Sequence, residues 1–308
     1  MNPVVMTERR HWWEAPRRWM RGGTQRGAGG IGLAFGGGFA RGIAHVGVLR
    51  ALEKSKIPIC AVAGVSSGAI VAAAVASGAT SDDIEKVALS MRFRDVARWT
   101  LNLSGLAGSD RMITFLARLL KVNRFEEMQI PLAIVATDLI GAKPVTFRGS
   151  GDVILPIRAS CAYPGLFTPI RHEGRLLVDG FVGMEVPAKP LLQMGASRTI
   201  SVAIPNYEGM AEYGNMFSVV NRCFQVMSAR SAHNWRRYSN LVITPAVGGM
   251  AWDSFASAKR LIELGEEAGY AAVPAIQKWL AAAPQSSEEP ARSLPVRVQA
   301  APEIPGTT

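Results

Sequence analysis

The chain has 308 residues, 48% hydrophobic and 19% charged, a balance that excludes a disordered or fibrous protein and suits one large α/β domain. A net charge of +10 invites a nucleic-acid partner, but the excess is not spread evenly along the chain, and no nucleic acid is expected. Cys60, Cys161 and Cys223 are odd in number and far apart, which argues against a disulfide framework or a zinc spacing and fits a reducing compartment.

Residues 1–29 read as a basic, flexible leader. Arg9, Arg10, Arg17, Arg18, Arg21 and Arg26 stand there against Glu8 and Glu14, interleaved with Trp12, Trp13 and Trp19. Arginines beside indoles suit the headgroup layer of an anionic membrane, so peripheral membrane contact through this segment is one expectation and a plain disordered leader the other. No apolar h-region with a small-residue cleavage site is visible, and the expected location is the cytoplasm, peripheral to the inner face of the membrane.

The leader ends in the glycine-rich "RGGTQRGAGG", and the fold is predicted to begin near Gly30, with a strand over 31–35 ("IGLAF"). Gly36, Gly37 and Gly38 follow, then Phe39, Ala40, Arg41 and Gly42, leading into a helix over 41–54. Consecutive glycines between a strand and a helix N-terminus leave backbone N–H groups free to face an anion. The G-x-G-x-x-G at Gly27, Gly29 and Gly32 precedes its strand instead of following it, and no lysine closes a P-loop, so a nucleotide is not the expected anion.

A second strand is predicted over 59–63, then "GVSSG" and a helix over 66–78. Residues 57–81 carry no charge, but Pro58, Gly64 and Gly68 break the run, which reads as strand, turn and helix and not as a membrane span. Further helices are predicted over 81–91, 109–121, 154–161, 187–194, 215–233 and 253–268, and strands over 132–137, 144–148, 199–204 and 240–244. Alternation of apolar strands and helices implies a mostly parallel sheet covered on both faces, with ligands beyond the strand carboxyl ends. Residues 284–308 read as a disordered tail.

Gly64, Ser66 and Gly68 match G-x-S-x-G, in which a sharp strand-to-helix turn presents the central serine as a nucleophile. The N–H of Ser67 would lie at the helix N-terminus as an oxyanion donor. A serine nucleophile needs a base. Among His11, His45, His172 and His233, the order serine, acid, histidine would select His233 with Asp179, yet only one strand and helix precede Ser66, too few for an α/β-hydrolase. Asp179, after the apolar "RLLV" and before Gly180, sits at a predicted strand end and is the carboxylate alternative, although Asp-Gly is also an ordinary turn.

Taken in order, "GLAFGGGFARGIAHVGVLRALE", "VAGVSSGAIVAA", "VATDL", "IRASCAYPGLFTP" and "LVDGFV" resemble the bacterial patatin-like phospholipase family over roughly residues 30–270. The resemblance implies a three-layer α/β/α fold, a domain over 30–283, and a Ser-Asp dyad with no metal or organic cofactor. Ser66 would be the nucleophile and Asp179 the base, with backbone amides around Gly36, Gly37 and Gly38 as oxyanion hole and Arg41 supporting that loop. It also implies a serine acyl hydrolase acting on phospholipid or lysophospholipid esters, with transacylase and thioesterase chemistry open to the same parts. Phe181 stands where the family usually has glycine or alanine, which leaves the base loop, and with it a non-catalytic regulator or scaffold, open. Ser67 stands where alanine is usual. Trp99, Phe115, Leu116, Met210, Tyr213, Met216 and Phe217 are candidates for an acyl groove or lid, and the helix beginning near "WDSF" is expected to pack on the sheet.

Overall fold

The computed structural model describes residues 30–102, 104–205 and 216–282. The basic leader, the tail, Met210 and Tyr213, and the side chains of Met216 and Phe217, lie outside what it describes. In chain order, β1 (Ile31–Phe35) leads through a 3-10 turn (Phe39–Ile43) into α1 (Ala44–Lys54), and β2 (Ile59–Gly64) leads into α2 (Ser67–Ala76). Then come α3 (Ser81–Ser90), α4 (Phe93–Val96), β3 (Arg98–Asn102), β4 (Gly105–Gly108), α5 (Arg111–Leu119), β5 (Leu132–Asp138), β6 (Lys143–Arg148) and α6 (Ile154–Ser160). The rest is β7 (Gly165–Phe167), β8 (Ile170–His172), β9 (Arg175–Asp179), α7 (Ala188–Gln193), β10 (Arg198–Val202), α8 (Met216–Ser231), α9 (His233–Arg236), β11 (Leu241–Ile243) and α10 (Ala258–Ala282).

The main sheet runs β11-β10-β1-β2-β5-β9-β8, with β6 on β5. It is parallel from β11 to β5, while β6 and β9 run antiparallel to β5 and β8 antiparallel to β9. Its two faces differ in side-chain size. Leu33, Phe35, Ile134, Ile200 and Val202 point into a thick helical layer, each fully buried and worth roughly 1.5–3 kcal/mol. Ala34, Ala61, Ala63 and Ala133 face the other way, where the short α7 and Trp235 of α9 lie close. The sheet is thus sandwiched between helices, as the continuous apolar strands imply.

Within the thick layer α3 is started by a capping box: Asp83 N–H donates to Thr80 Oγ1 and Thr80 N–H to Asp83 Oδ2, both at 3.2 Å. The terminal helix corrects two expectations. It packs chiefly on α1 and only secondarily on the sheet, at β11, and it approaches α1 at a separation only glycine permits, since a Cβ on Gly265 would lie 1.9 Å from Ala44 O. It also runs on to Ala282 through Gly269 and Pro274. Pro274 and Tyr270, whose carbonyl loses its helical donor, are both exposed. Among the described residues no helix is long and apolar enough to cross a membrane, and the uncharged 57–81 run is β2 and α2.

β6 pairs with β5 along its whole length, so β2 and β9 share the opposite edge: Gly64 of β2 stands beside Ile134, and Asp179, the last residue of β9, beside Ala136. The two strands meet end to end, and their carboxyl ends converge over the middle of β5.

Candidate active site

Past Gly64 the chain turns so sharply that Ser66 has φ 55° and ψ −129°, a conformation costing a non-glycine residue about 1–3 kcal/mol. The glycines on either side make the turn possible. A Cβ on Gly64 would lie 2.3 Å from Gly68 O, and one on Gly68 2.3 Å from Phe35 O. The strain is held by hydrogen bonds, with Val65 N–H donating to Phe35 O at 3.1 Å and Ser66 N–H to Ser160 Oγ at 2.9 Å. Ser160, fully buried at the end of α6, in turn donates to Val135 O at 2.6 Å.

Ser66 Oγ donates to Asp179 Oδ2 at 2.7 Å. The second carboxylate oxygen accepts Phe181 N–H at 2.9 Å. Asp179 is wholly buried, and burial pushes its carboxyl up to about 7, against the downward pull of the Phe181 N–H and the Ser66 hydroxyl. Thr137 at the end of β5 braces the turn after Asp179: its Oγ1 accepts Gly183 N–H at 3.0 Å and donates to Gly180 O at 3.4 Å.

The glycine loop passes over the same point. Gly36 N–H is committed to Val202 O at 3.0 Å, which removes Gly36 from the expected set of oxyanion donors. Gly37 and Gly38 line the cleft, and a Cβ on Gly37 would stand 3.4 Å from Ser66 Cβ. His45 orients this loop. A carbonyl only accepts, so His45 Nε2 carries the proton and donates to Gly36 O at 2.8 Å. In a trans peptide the Gly37 N–H then points the opposite way. Burial pushes the imidazole down to about 4, so it is neutral and serves as a donor only. Arg41, buried in the 3-10 turn, also lines the cleft, and burial lowers its pKa.

The cleft offers about 580 Å³ of space open to solvent, walled further by Tyr163, Phe181 and Trp252. Tyr163 Oη donates to Asn221 Oδ1 of α8 at 2.6 Å, tying that helix to the wall. Phe181 occupies a 3-10 turn at negative φ, so its position does not demand glycine; its ring packs against Val65 and Val135 beside the dyad.

Of the residues singled out in the sequence, Ser66, Asp179, Gly37, Gly38 and Arg41 line one cleft, while Ser67 opens α2 and borders a neighbouring apolar groove, its Oγ buried without a partner among the described residues. Sequence reasoning missed Ser160, Thr137 and His45. His233 is exposed, its Nδ1 donates to Arg230 O at 3.2 Å, and it does not line the cleft, so the serine, aspartate, histidine arrangement is not formed. Leu116 is a core residue, Phe115 is buried in the wall of the apolar groove beside the cleft, and Trp99 is 65% exposed.

The family model for patatin-like phospholipases matches residues 33–192, which include both ends of the Ser66–Asp179 pair. The chain belongs to the patatin-like phospholipase family. An uncharacterized NTE family protein of Mycobacterium tuberculosis is 33% identical over 215 residues, covering 65% of this chain and 59% of that protein. A lysophospholipase, NTE1, of Mycosarcoma maydis is 30% identical over 198 residues, 61% of this chain but 10% of that protein. This patatin-like chain therefore spans about three-fifths, or far less, of the length of these relatives. The patatin-like fold is also seen in the crystal structure of VipD from Legionella pneumophila, with a TM-score of 0.50, 15% identity, and coverage of 82% of this chain and 67% of that one.

Proposed function

We propose that this chain is a serine acyl hydrolase cleaving carboxylic esters of lipids, of phospholipase A or lysophospholipase type, through a Ser66–Asp179 dyad and an acyl-enzyme. The observation that carries this reading is the 2.7 Å hydrogen bond from a strained, cleft-facing serine to a buried carboxylate poised near neutrality. The Asp179 carboxylate takes the Ser66 proton as Oγ attacks the ester carbonyl carbon. The N–H groups of Gly37 and Gly38 receive the developing oxyanion, each well-aimed donor contributing roughly a hundred- to thousandfold in rate. Collapse of the adduct breaks the ester C–O bond, and the leaving alcohol takes the proton from Asp179. Water then attacks the acyl-Ser66 carbonyl, delivers its proton to Asp179, and releases the fatty acid as Ser66 is reprotonated.

A shallow groove with an almost wholly apolar lining supports a lipid acyl group. It is lined by Ile70, Val87, Met91, Phe115 and Phe255, and it meets the cleft at Phe39, which borders both. An acyl chain lying there displaces water from carbon surface at roughly 0.8 kcal/mol per methylene. The test is hydrolysis of a lysophospholipid and a monoacylglycerol by wild type and by Ser66→Ala. We expect the substitution to lower kcat by at least about a thousandfold; equal rates would end the acyl-hydrolase reading.

A further inference from the structure

Behind Phe181, on the side of the sheet covered by α7 and α9, lies a second cavity of about 430 Å³. Phe181 is its common wall with the catalytic cleft. The chemistry of this cavity differs from that of the apolar groove. Lys189 of α7 and Arg237 after α9 both border it, and both cations sit against the ring of Tyr238, at 5.9 Å and 4.9 Å from its centre. Neither is ion-paired among the described residues. The one carboxylate among the described residues of the wall, Glu185, accepts Trp235 Nε1–H at 2.9 Å. Ser228 of α8 also borders the cavity: it is 6% exposed, and its Oγ is buried with no hydrogen-bond partner among the described residues. An unsatisfied buried hydroxyl costs about 1–3 kcal/mol, and rotation of this side chain toward the cavity to donate to a ligand oxygen would remove that cost.

We propose that this cavity binds the phosphodiester head group of the lipid substrate, with Lys189 and Arg237 taking the anionic oxygens and Ser228 Oγ donating to one of them. The inference rests on the acyl-hydrolase reading and deepens it. The lipid then lies across the sheet edge, acyl chain in the apolar groove past Phe39, ester at Ser66, and phosphate beyond Phe181. Phosphate is matched by the cation pair and the unpartnered donor together. A neutral glycerolipid would use the groove and leave the cavity empty.

Two measurements test this on the full chain. Calorimetric titration with glycerophosphocholine, which has no acyl ester, reads the cavity without turnover. We expect binding by wild type, and by Lys189→Ala/Arg237→Ala at an affinity at least about tenfold weaker. Inorganic phosphate binding as tightly as the diester would assign the cavity to a free anion and overturn the head-group proposal, as would equal binding of the diester by both proteins. For turnover, the double substitution should raise KM for a lysophospholipid at least about tenfold while leaving monoacylglycerol kinetics unchanged. Parallel changes on both lipids, or none on either, would also overturn it. Failure of wild type to hydrolyse any ester would instead remove the acyl-hydrolase reading, and the titration would still decide whether the cavity holds phosphate.

Discussion

Replacing Asp179 by Asn should make the protein more stable than wild type at alkaline pH and should abolish turnover. The carboxyl is wholly buried and its pKa rises from 3.8 to about 7, because burial outweighs the two hydrogen bonds that favour the ionised form. Below 3.8 both the folded and the unfolded chain hold the proton, and the side chain contributes no pH dependence. Between 3.8 and about 7 the unfolded chain releases its proton and the native one retains it, so wild-type stability falls as pH rises. At about 1.4 kcal/mol per unit, the penalty is on the order of 4 kcal/mol once pH exceeds 7. Asn is isosteric and cannot ionise, and the Ser66 hydroxyl can reverse to accept from its amide. Urea unfolding of both proteins from pH 4 to 9 measures the difference, which should be small at pH 4 and complete by pH 8. Parallel stability curves across that range would refute the buried, near-neutral carboxylate.

The same value fixes the activity profile: kcat/KM of wild type should rise through an apparent pKa near 7 and level above it, since only ionised Asp179 accepts the Ser66 proton. His45→Leu should lower kcat about tenfold or more with little effect on KM, by releasing the Gly36–Gly37 peptide, and should leave that pKa in place; a profile that loses its acidic limb would mean the imidazole was titrating. Ser160→Ala should lower the melting temperature and kcat together, because it strands Ser66 N–H and Val135 O at about 1–3 kcal/mol each. Unchanged thermal unfolding of that variant would contradict the role of Ser160 in holding the strained turn.

What the sequence discloses of this fold follows from where local and tertiary forces agree. β1, β2 and β5 are legible because strands buried on both faces must be apolar throughout, and the turn at Ser66 because its two glycines answer a backbone requirement visible in the spacing alone. β7, β8, β3 and β4 escape notice: they are three to five residues long, and their conformation comes from the strands they pair with. The far half of α10 is hidden for the opposite reason, since Gly269 and Pro274 read as stops while packing on α1 carries the helix through them. Asp179 is ambiguous as a residue in a turn and becomes a candidate base by resemblance; what brings it to Ser66 is the end-to-end meeting of β2 and β9 along β5, a long-range pairing with no local signature. His45 and Ser160 look like ordinary helix residues, and only the hydrogen bonds they make to the Gly36 carbonyl and to Ser66 N–H and Val135 O distinguish them.

The pairing of Ser66 with Asp179 is tested most directly by covalent trapping. A fluorophosphonate ester should modify wild type once, at Ser66 Oγ, as mapped by peptide mass spectrometry, and the rate should fall by at least about a hundredfold in Asp179→Asn. Modification at Ser67, or equal labelling of the two proteins, would contradict the dyad.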